Sequence, residues 1–363
     1  MSLTNRSRSL AVFIPGWVGD AVMATPALLA LRQAHPGWRM VGVGKPAPMA
    51  VLEGLDLFDG QVVCAGKGWD KGTLEIARRI RPMGISKAVL LSNSFRTALS
   101  AWLGGCGERI GLAMHGRGRL LNRALRPTLD GSGRRAIHPA LLEYNRIAEA
   151  AGAEDPGKRL RLATRPQDEA AAEQVWGLTG LGDRPVVVLN PGAAFGQAKF
   201  WPRQYFAELA GRLAGQGFGV LVLCGPAEAQ LAQAIASVAD NPQVQALAHP
   251  RGPDPSLGLS KACVRRSALL VTTDSGPRHF AQAFDVPVVT LFGPTHIGWT
   301  ETWHAQSIHL QKQLDCGPCQ QRVCPQGHHR CMTELTVDEV HRACMKLLGL
   351  HRGHALPLAR SAG

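Results

Sequence analysis

Val271-Thr-Thr-Asp-Ser-Gly-Pro-Arg-His279 places a carboxylate, a hydroxyl and a glycine in a turn between an apolar strand and a helix, a construction suited to holding a diphosphate. The run Ala268-Leu-Leu-Val271 ends at the turn, and Phe280, Ala281, Ala283 and Phe284 then recur at helical spacing. Pro277 falls in the first turn, where a missing N–H costs nothing. The backbone amides of Ser275 and Gly276, with the positive end of the helix dipole, favour an anion. Asp274 stands beside them, and His279, one turn on, either faces the same anion or is a core or surface histidine. A second strand, Pro287-Val-Val-Thr-Leu-Phe292, follows at once. The unit is β-turn-α-β with its polar residues at the strand's carboxyl end, where open α/β sheets bind ligands.

Four further stretches carry chemistry. In Pro15-Gly-Trp-Val-Gly-Asp20 a carboxylate sits among apolar neighbours between a strand and a helix. There Asp20 suits either general-base work, helped by partial desolvation, or capping of the helix. Lys199 ends the loop that starts at Asn190, beyond the strand Pro185-Val-Val-Val-Leu189, and is either a point charge for phosphate oxygens or a solvated lysine. Glu228, after Gly225-Pro-Ala, can accept ribose hydroxyls or serve a helix dipole. Cys316, Cys319, Cys324 and Cys331, with His328 and His329 between the last two, offer enough ligands for a structural tetrahedral zinc, the other reading being free thiols in a packed loop. Gly42-Val-Gly44-Lys-Pro-Ala47 fits a loose dinucleotide fingerprint, but Pro46 and Pro48 crowd the start of any following helix, which excludes a nicotinamide or flavin site.

Strand and helix signals alternate along the chain, as parallel sheets with helices on both faces require. Ala11–Ile14, Arg39–Val43, Gln61–Cys64 and Ala88–Leu91 read as strands before the polar stretch 163–168, with a helix from Pro26 to Ala34. Pro185–Leu189 and Phe218–Leu223 open a second half. We therefore expect an α/β protein of two doubly wound Rossmann-like domains facing across a cleft, 1–165 and 166–363. At 363 residues the chain is too long for one ordinary core. Its 45% hydrophobic and 18% charged content is that of a folded protein. A net charge of +13 calls for an anionic partner, but two tyrosines and no aromatic platform among the basic residues exclude nucleic acid. No apolar run approaches the ~18 residues of a membrane span. Arg6 and Arg8 before Leu10–Ile14 mimic a signal peptide, which Pro15, Asp20 and Pro26 interrupt. Nine cysteines, an odd number, suggest a reducing compartment.

Five stretches taken in order carry a family resemblance: Pro15 to Pro26, Leu91-Ser-Asn-Ser-Phe-Arg-Thr-Ala-Leu99, Arg109-Ile-Gly111, Asn190 to Pro202, and Thr273 through Thr295. They resemble the motifs of the ADP-heptose:lipopolysaccharide heptosyltransferases of glycosyltransferase family 9, most of all the heptosyltransferase II branch. The resemblance implies a GT-B pair of domains, the first holding the acceptor and the second an ADP-sugar, with closure about 163–168. It implies Asp20 as base, Lys199 and the Ser275 and Gly276 backbone on the donor phosphates, Glu228 on the ribose, Asp274 by the donor sugar, and an acceptor site at Asn93, Arg96 and Arg109. Heptose would pass from ADP-heptose to the lipopolysaccharide inner core in one inverting displacement. No Asp-x-Asp pair stands at the diphosphate turn, so protein charges would replace a metal and no cofactor is required. Arg96, Arg109, Arg117, Arg119, Arg123 and Arg126 suit an anionic lipopolysaccharide precursor, and the protein would be cytoplasmic and peripheral to the inner membrane. Two alternatives share these features: a family 9 enzyme with another sugar or acceptor, and a non-catalytic nucleotide-sugar-binding protein.

Overall fold

A computed structural model describes residues 8–66 and 68–352; Arg6 of the signal-like segment lies outside them. Six strands form the first sheet: β1 Ser9–Phe13, β2 Arg39–Gly44, β3 Gly60–Val63, β4 Lys87–Leu90, β5 Glu108–Leu112 and β6 Arg123–Leu125. Six more form the second: β7 Val186–Asn190, β8 Gly219–Val222, β9 Val244–Ala246, β10 Leu269–Thr273, β11 Val288–Phe292 and β12 Ser307–Gln311. All named pairings are parallel. The first sheet runs β3-β2-β1-β4-β5-β6 and the second β12-β11-β10-β7-β8-β9, the same doubly wound order twice. In each, the direction of winding reverses between two central strands, β1 and β4 in one and β7 and β10 in the other. Chain connections diverge there and leave room for a ligand.

The central strands form because both faces are covered. Leu10, Ala11, Val12 and Phe13 are almost entirely buried, as are Val187, Val188 and Leu189, which explains their unbroken apolar runs. Register then sets the sites. Phe13 lies opposite Leu90, so the loops after β1 and β4 leave side by side. Thr272 lies opposite Asn190, with the same effect after β7 and β10.

The chain divides into two compact units, one through Ala163 with Gly298–Trp303 and the other Thr164–Ile297 with the chain from His304. The segment 298–303, assigned by sequence to the second domain, thus groups with the first. Cation–π stacking holds it there: Arg135 lies 4.7 Å from the Trp299 ring centroid and Lys158 4.0 Å from that of Trp303. The fingerprint-like glycines also have a packing role. A Cβ at Gly42 would sit 2.7 Å from Met49 and 2.9 Å from Phe58. The prolines do not prevent a helix after this strand, contrary to expectation, since helix Pro46–Val51 starts on Pro46. No helix among the described residues is long and apolar enough to cross a membrane.

The second unit's first helix, Pro166–Thr179, is fixed by Asp168, whose Oδ2 accepts from the Arg165 backbone N–H at 2.9 Å and whose Oδ1 accepts from its guanidinium at 2.9 Å. Gly258 makes room for that carboxylate, because a Cβ there would stand 2.1 Å from Oδ1. Gly258→Ala should therefore cost about 1–3 kcal/mol by overpacking, read as a lowered midpoint in urea unfolding, and an unchanged midpoint would show that Asp168 moves aside freely.

Candidate functional site

At the carboxyl ends of β1 and β4 the first unit holds a cavity of about 670 Å³. Asp20, Asn93 and Arg96 line it, together with Lys45, His115 and Tyr144, which the motifs did not single out. Asp20 lies inside the first turn of helix Val18–Met23, whose N-cap position is Trp17, so it is not the capping residue. The Tyr144 hydroxyl donates to Asp20 Oδ1 at 3.1 Å. Tyr144 is buried, and burial with the adjoining carboxylate pushes its phenol well above the usual value, so it remains a donor.

The arginines divide differently from expectation. Arg109 does not line the cavity; its guanidinium donates to the carbonyls of Leu120 (2.7 Å), Cys106 (2.7 Å) and Gly107 (3.1 Å). Arg117 is fully buried and cannot meet an acceptor from bulk water. It braces the loop after β4, donating to the Ser92 and Ser94 carbonyls, to Asn93 Oδ1 at 3.1 Å and to the Leu112 carbonyl at 2.7 Å. Burial lowers its pKa to about 10, which leaves it charged at neutral pH. Arg123 pairs with Glu108 at 3.4 Å.

In the second unit the loops after β7 and β10 converge. Lys199 Nζ donates to Asp274 Oδ2 at 2.5 Å and to the Asp274 carbonyl at 2.8 Å. Thr295 Oγ1 donates to the same Oδ2 at 2.7 Å, and Arg278 Nη1 lies 3.7 Å from Oδ1. All four residues are buried. Burial alone would raise the Asp274 carboxyl, but Lys199, Arg278 and the hydrogen bonds outweigh it and hold the group below its ordinary 3.8. What this carboxylate contributes to stability is complete above the unfolded-state value and is lost as pH falls through the lower folded one.

Helix Gly276–Ala283 begins right after this ion pair, with Ser275 at the N-cap, Pro277 in the first turn and no side-chain cap. The Ser275 hydroxyl is held by Asn190 Nδ2 at 2.9 Å and Thr272 Oγ1 at 3.1 Å. The helix end therefore presents backbone dipole, as an anion site requires. Glu228 packs against the same loop, since a Cβ at Gly192 would lie 2.2 Å from its Oε1. Its Oε2 accepts from the Gly225 N–H at 3.0 Å. His279 departs from the sequence expectation. It is buried, its Nδ1 lies 2.9 Å from Gln282 Oε1, and burial with the adjacent Arg278 lowers its pKa to about 3, so it is neutral and supplies no charge to an anion.

The cysteine segment buttresses the lysine loop. The Ala198 N–H donates to the Arg322 carbonyl at 3.0 Å, and His329 Nε2 lies 2.8 Å from the Ala198 carbonyl. Gly196 permits that approach, because a Cβ would meet the Arg322 carbonyl oxygen at 2.4 Å. The zinc reading of Cys316, Cys319, Cys324 and Cys331 is not borne out: among the described residues no group of three or more His, Cys, Asp or Glu is arranged to hold a metal ion. Burial, and the proximity of the other three thiols, raise Cys331 to about 11.

The sequence profile of glycosyltransferase family 9 (heptosyltransferase) matches residues 73–329, most of the chain. The chain belongs to glycosyltransferase family 9. Within it, lipooligosaccharide heptosyltransferase 2 of Campylobacter jejuni is 26% identical over 345 residues, covering 93% of this chain and 98% of that one. The structure of Escherichia coli ADP-heptose lps heptosyltransferase II superposes with a TM-score of 0.76 at 22% identity, over 95% of this chain and 99% of that one. Escherichia coli heptosyltransferase WaaC with ADP gives 0.70 at 18% identity, over 93% and 99%. These likenesses establish the GT-B-type pair of Rossmann-like domains that the family 9 resemblance implied.

Lys199→Met should cost about 3 kcal/mol by leaving Asp274 buried without its nearest cation. Adding Asp274→Asn should recover most of that loss, and denaturant titration of both variants checks the pairing.

Proposed function

We propose that this protein is an inverting heptosyltransferase of the heptosyltransferase II kind, which moves L-glycero-D-manno-heptose from ADP-heptose to the inner core of a lipopolysaccharide precursor. The observation that carries the reading is the buried Lys199–Asp274 pair under an uncapped helix end, at the winding reversal of the second sheet in a family 9 chain. That arrangement offers a fixed ammonium and oriented amides where a diphosphate would sit. Glu228 would take the ribose hydroxyls, and Asp274 would stand by the donor sugar.

In the reaction, Asp20 accepts the proton of the attacking acceptor hydroxyl as its oxygen bonds to the anomeric carbon. The bond from that carbon to the diphosphate oxygen breaks, and ADP leaves with the electron pair from the opposite face. Inversion follows from a single displacement. The leaving diphosphate gains charge, which Lys199 and the Ser275 and Gly276 amides stabilise without reorganising. These charges can do the work of a metal ion, so the reading needs no metal cofactor. Asn93 and Arg96 would orient the anionic acceptor in the first unit's cavity, in a cytoplasmic protein working at the inner-membrane surface.

The test is ADP release from ADP-heptose, with and without heptosylated Kdo2-lipid A. Asp20→Asn should lower acceptor-dependent release about 10²- to 10⁴-fold while ADP affinity is unchanged. Retained turnover would remove Asp20 as the base, and ADP binding without release on that acceptor would point to a different acceptor. Tyr144→Phe should lower kcat about tenfold through loss of a hydrogen bond to a charged group. It should also move the acid limb of kcat/KM to higher pH, because the carboxylate loses a donor that favours its charged form. An unshifted limb would mean that Tyr144 only packs.

A further inference from the structure

Beside the first unit's cavity, large aromatic side chains face solvent. The π-helical turn Trp69–Leu74 and the helix Phe95–Leu103 lie together, joined by a hydrogen bond of 3.0 Å from Ser100 Oγ to the Thr73 carbonyl. The Trp69 and Phe95 rings meet edge to face at 6.4 Å. Along the helix, Phe95, Leu99 and Trp102 recur at i, i+4 and i+7, which places them on one face. Trp69 is 54% exposed, Trp102 51% and Phe95 38%. Exposed large apolar side chains gathered on one side of a molecule mark an interaction surface.

The net charge around this ridge is positive. From Trp69 to Trp102 the chain carries six Lys and Arg against two carboxylates. Arg78, Arg79 and Arg81 are exposed on the helix Glu75–Ile80 and the turn after it. They stand near the Trp102 end, because Ile80 fills the space that a Cβ at Gly104 would occupy, 2.4 Å from its Cγ1. One carboxylate of the two, Glu75, is paired with Arg79 at 3.5 Å. At the other end, Phe95 and Arg96 are both ridge and cavity wall.

We infer that the ridge Trp69–Phe95–Trp102 is the surface by which this protein docks on an anionic phospholipid bilayer. Tryptophan favours the boundary between headgroups and acyl chains, where its ring is buried and its N–H stays wet. Flanking arginines draw it there through the negative surface potential. With no spanning helix among the described residues, contact of this sort is interfacial. The inference rests on the proposed function only in one respect: a lipid-anchored acceptor would then enter the cavity from the side that touches the membrane.

The experiment is co-sedimentation of the full chain with empty phosphatidylcholine vesicles, with and without phosphatidylglycerol, alongside quenching of tryptophan fluorescence by brominated lipid. The wild type should bind only the vesicles with phosphatidylglycerol and be quenched there. Trp69→Ser with Trp102→Ser should weaken binding at least about tenfold and remove most of the quenching, while ADP affinity, measured as a check on folding, stays the same. Arg78→Gln with Arg81→Gln should weaken it about fivefold per charge, an effect that vanishes at high salt. Equal binding by the tryptophan variant, equal binding to neutral vesicles, or loss of a dimer in sedimentation velocity when the tryptophans are replaced would each overturn the inference. Empty vesicles contain no acceptor, so failure of the heptosyl-transfer reading would leave this result unaffected.

Discussion

Lys199 and Asp274 meet in a place where neither could stand alone. A buried carboxylate is costly unless paired, and here an ammonium, a threonine hydroxyl and a second cation surround it. Meeting that requirement ties three parts of the chain together. Lys199 arrives on the loop from β7, Asp274 follows β10, and Thr295 follows β11. The helix that starts at Gly276 is aimed by the same junction, and the cysteine segment holds the lysine loop from outside through Arg322 and His329. The ion pair thus fixes where the amides of Ser275 and Gly276 stand.

The first unit reuses the same winding for a different purpose. Its loops after β1 and β4 also leave side by side, but they carry Asp20 and the Ser92–Ser94 turn in place of a buried lysine and an uncapped helix end. Arg117 braces that turn from within, spending its charge on carbonyls and Asn93. Tyr144 reaches Asp20 from a helix far along the chain. One topology used twice yields one site rich in fixed positive charge and another with a carboxylate in a roomy cavity.

Much of this was legible in sequence, for a physical reason. Strands covered on both faces read as unbroken apolar runs, so β1, β4, β7, β8, β10 and β11 stood out. By contrast β6 and β9 have three residues each, and Ser307-Ile-His-Leu-Gln311 in β12 alternates polar and apolar residues because it is half-buried at an edge. The turn at Asp274 was legible because proline and glycine can occupy only certain positions in a helix start. Tyr144 was not, since 124 residues separate it from Asp20 and only tertiary packing joins them. Nor does a run of arginines show which one is buried. The one available signal is Gly111, where a Cβ would lie 3.1 Å from Arg117 Nη2. His279 sits one helical turn beyond Ser275 and so looked like an anion ligand, but its neighbours enclose it and keep it neutral.

If Lys199 both neutralises Asp274 and serves a diphosphate, the two roles separate in one measurement: calorimetric ADP affinity of the wild type, Lys199→Met, and Lys199→Met with Asp274→Asn. The expected result is a loss of about ten- to a hundredfold in both variants, the scale of one charge-assisted hydrogen bond, with no recovery in the double variant even though its fold is restored. Recovery of ADP binding in the double variant would contradict this, because Lys199 would then matter only as the partner of a buried carboxylate.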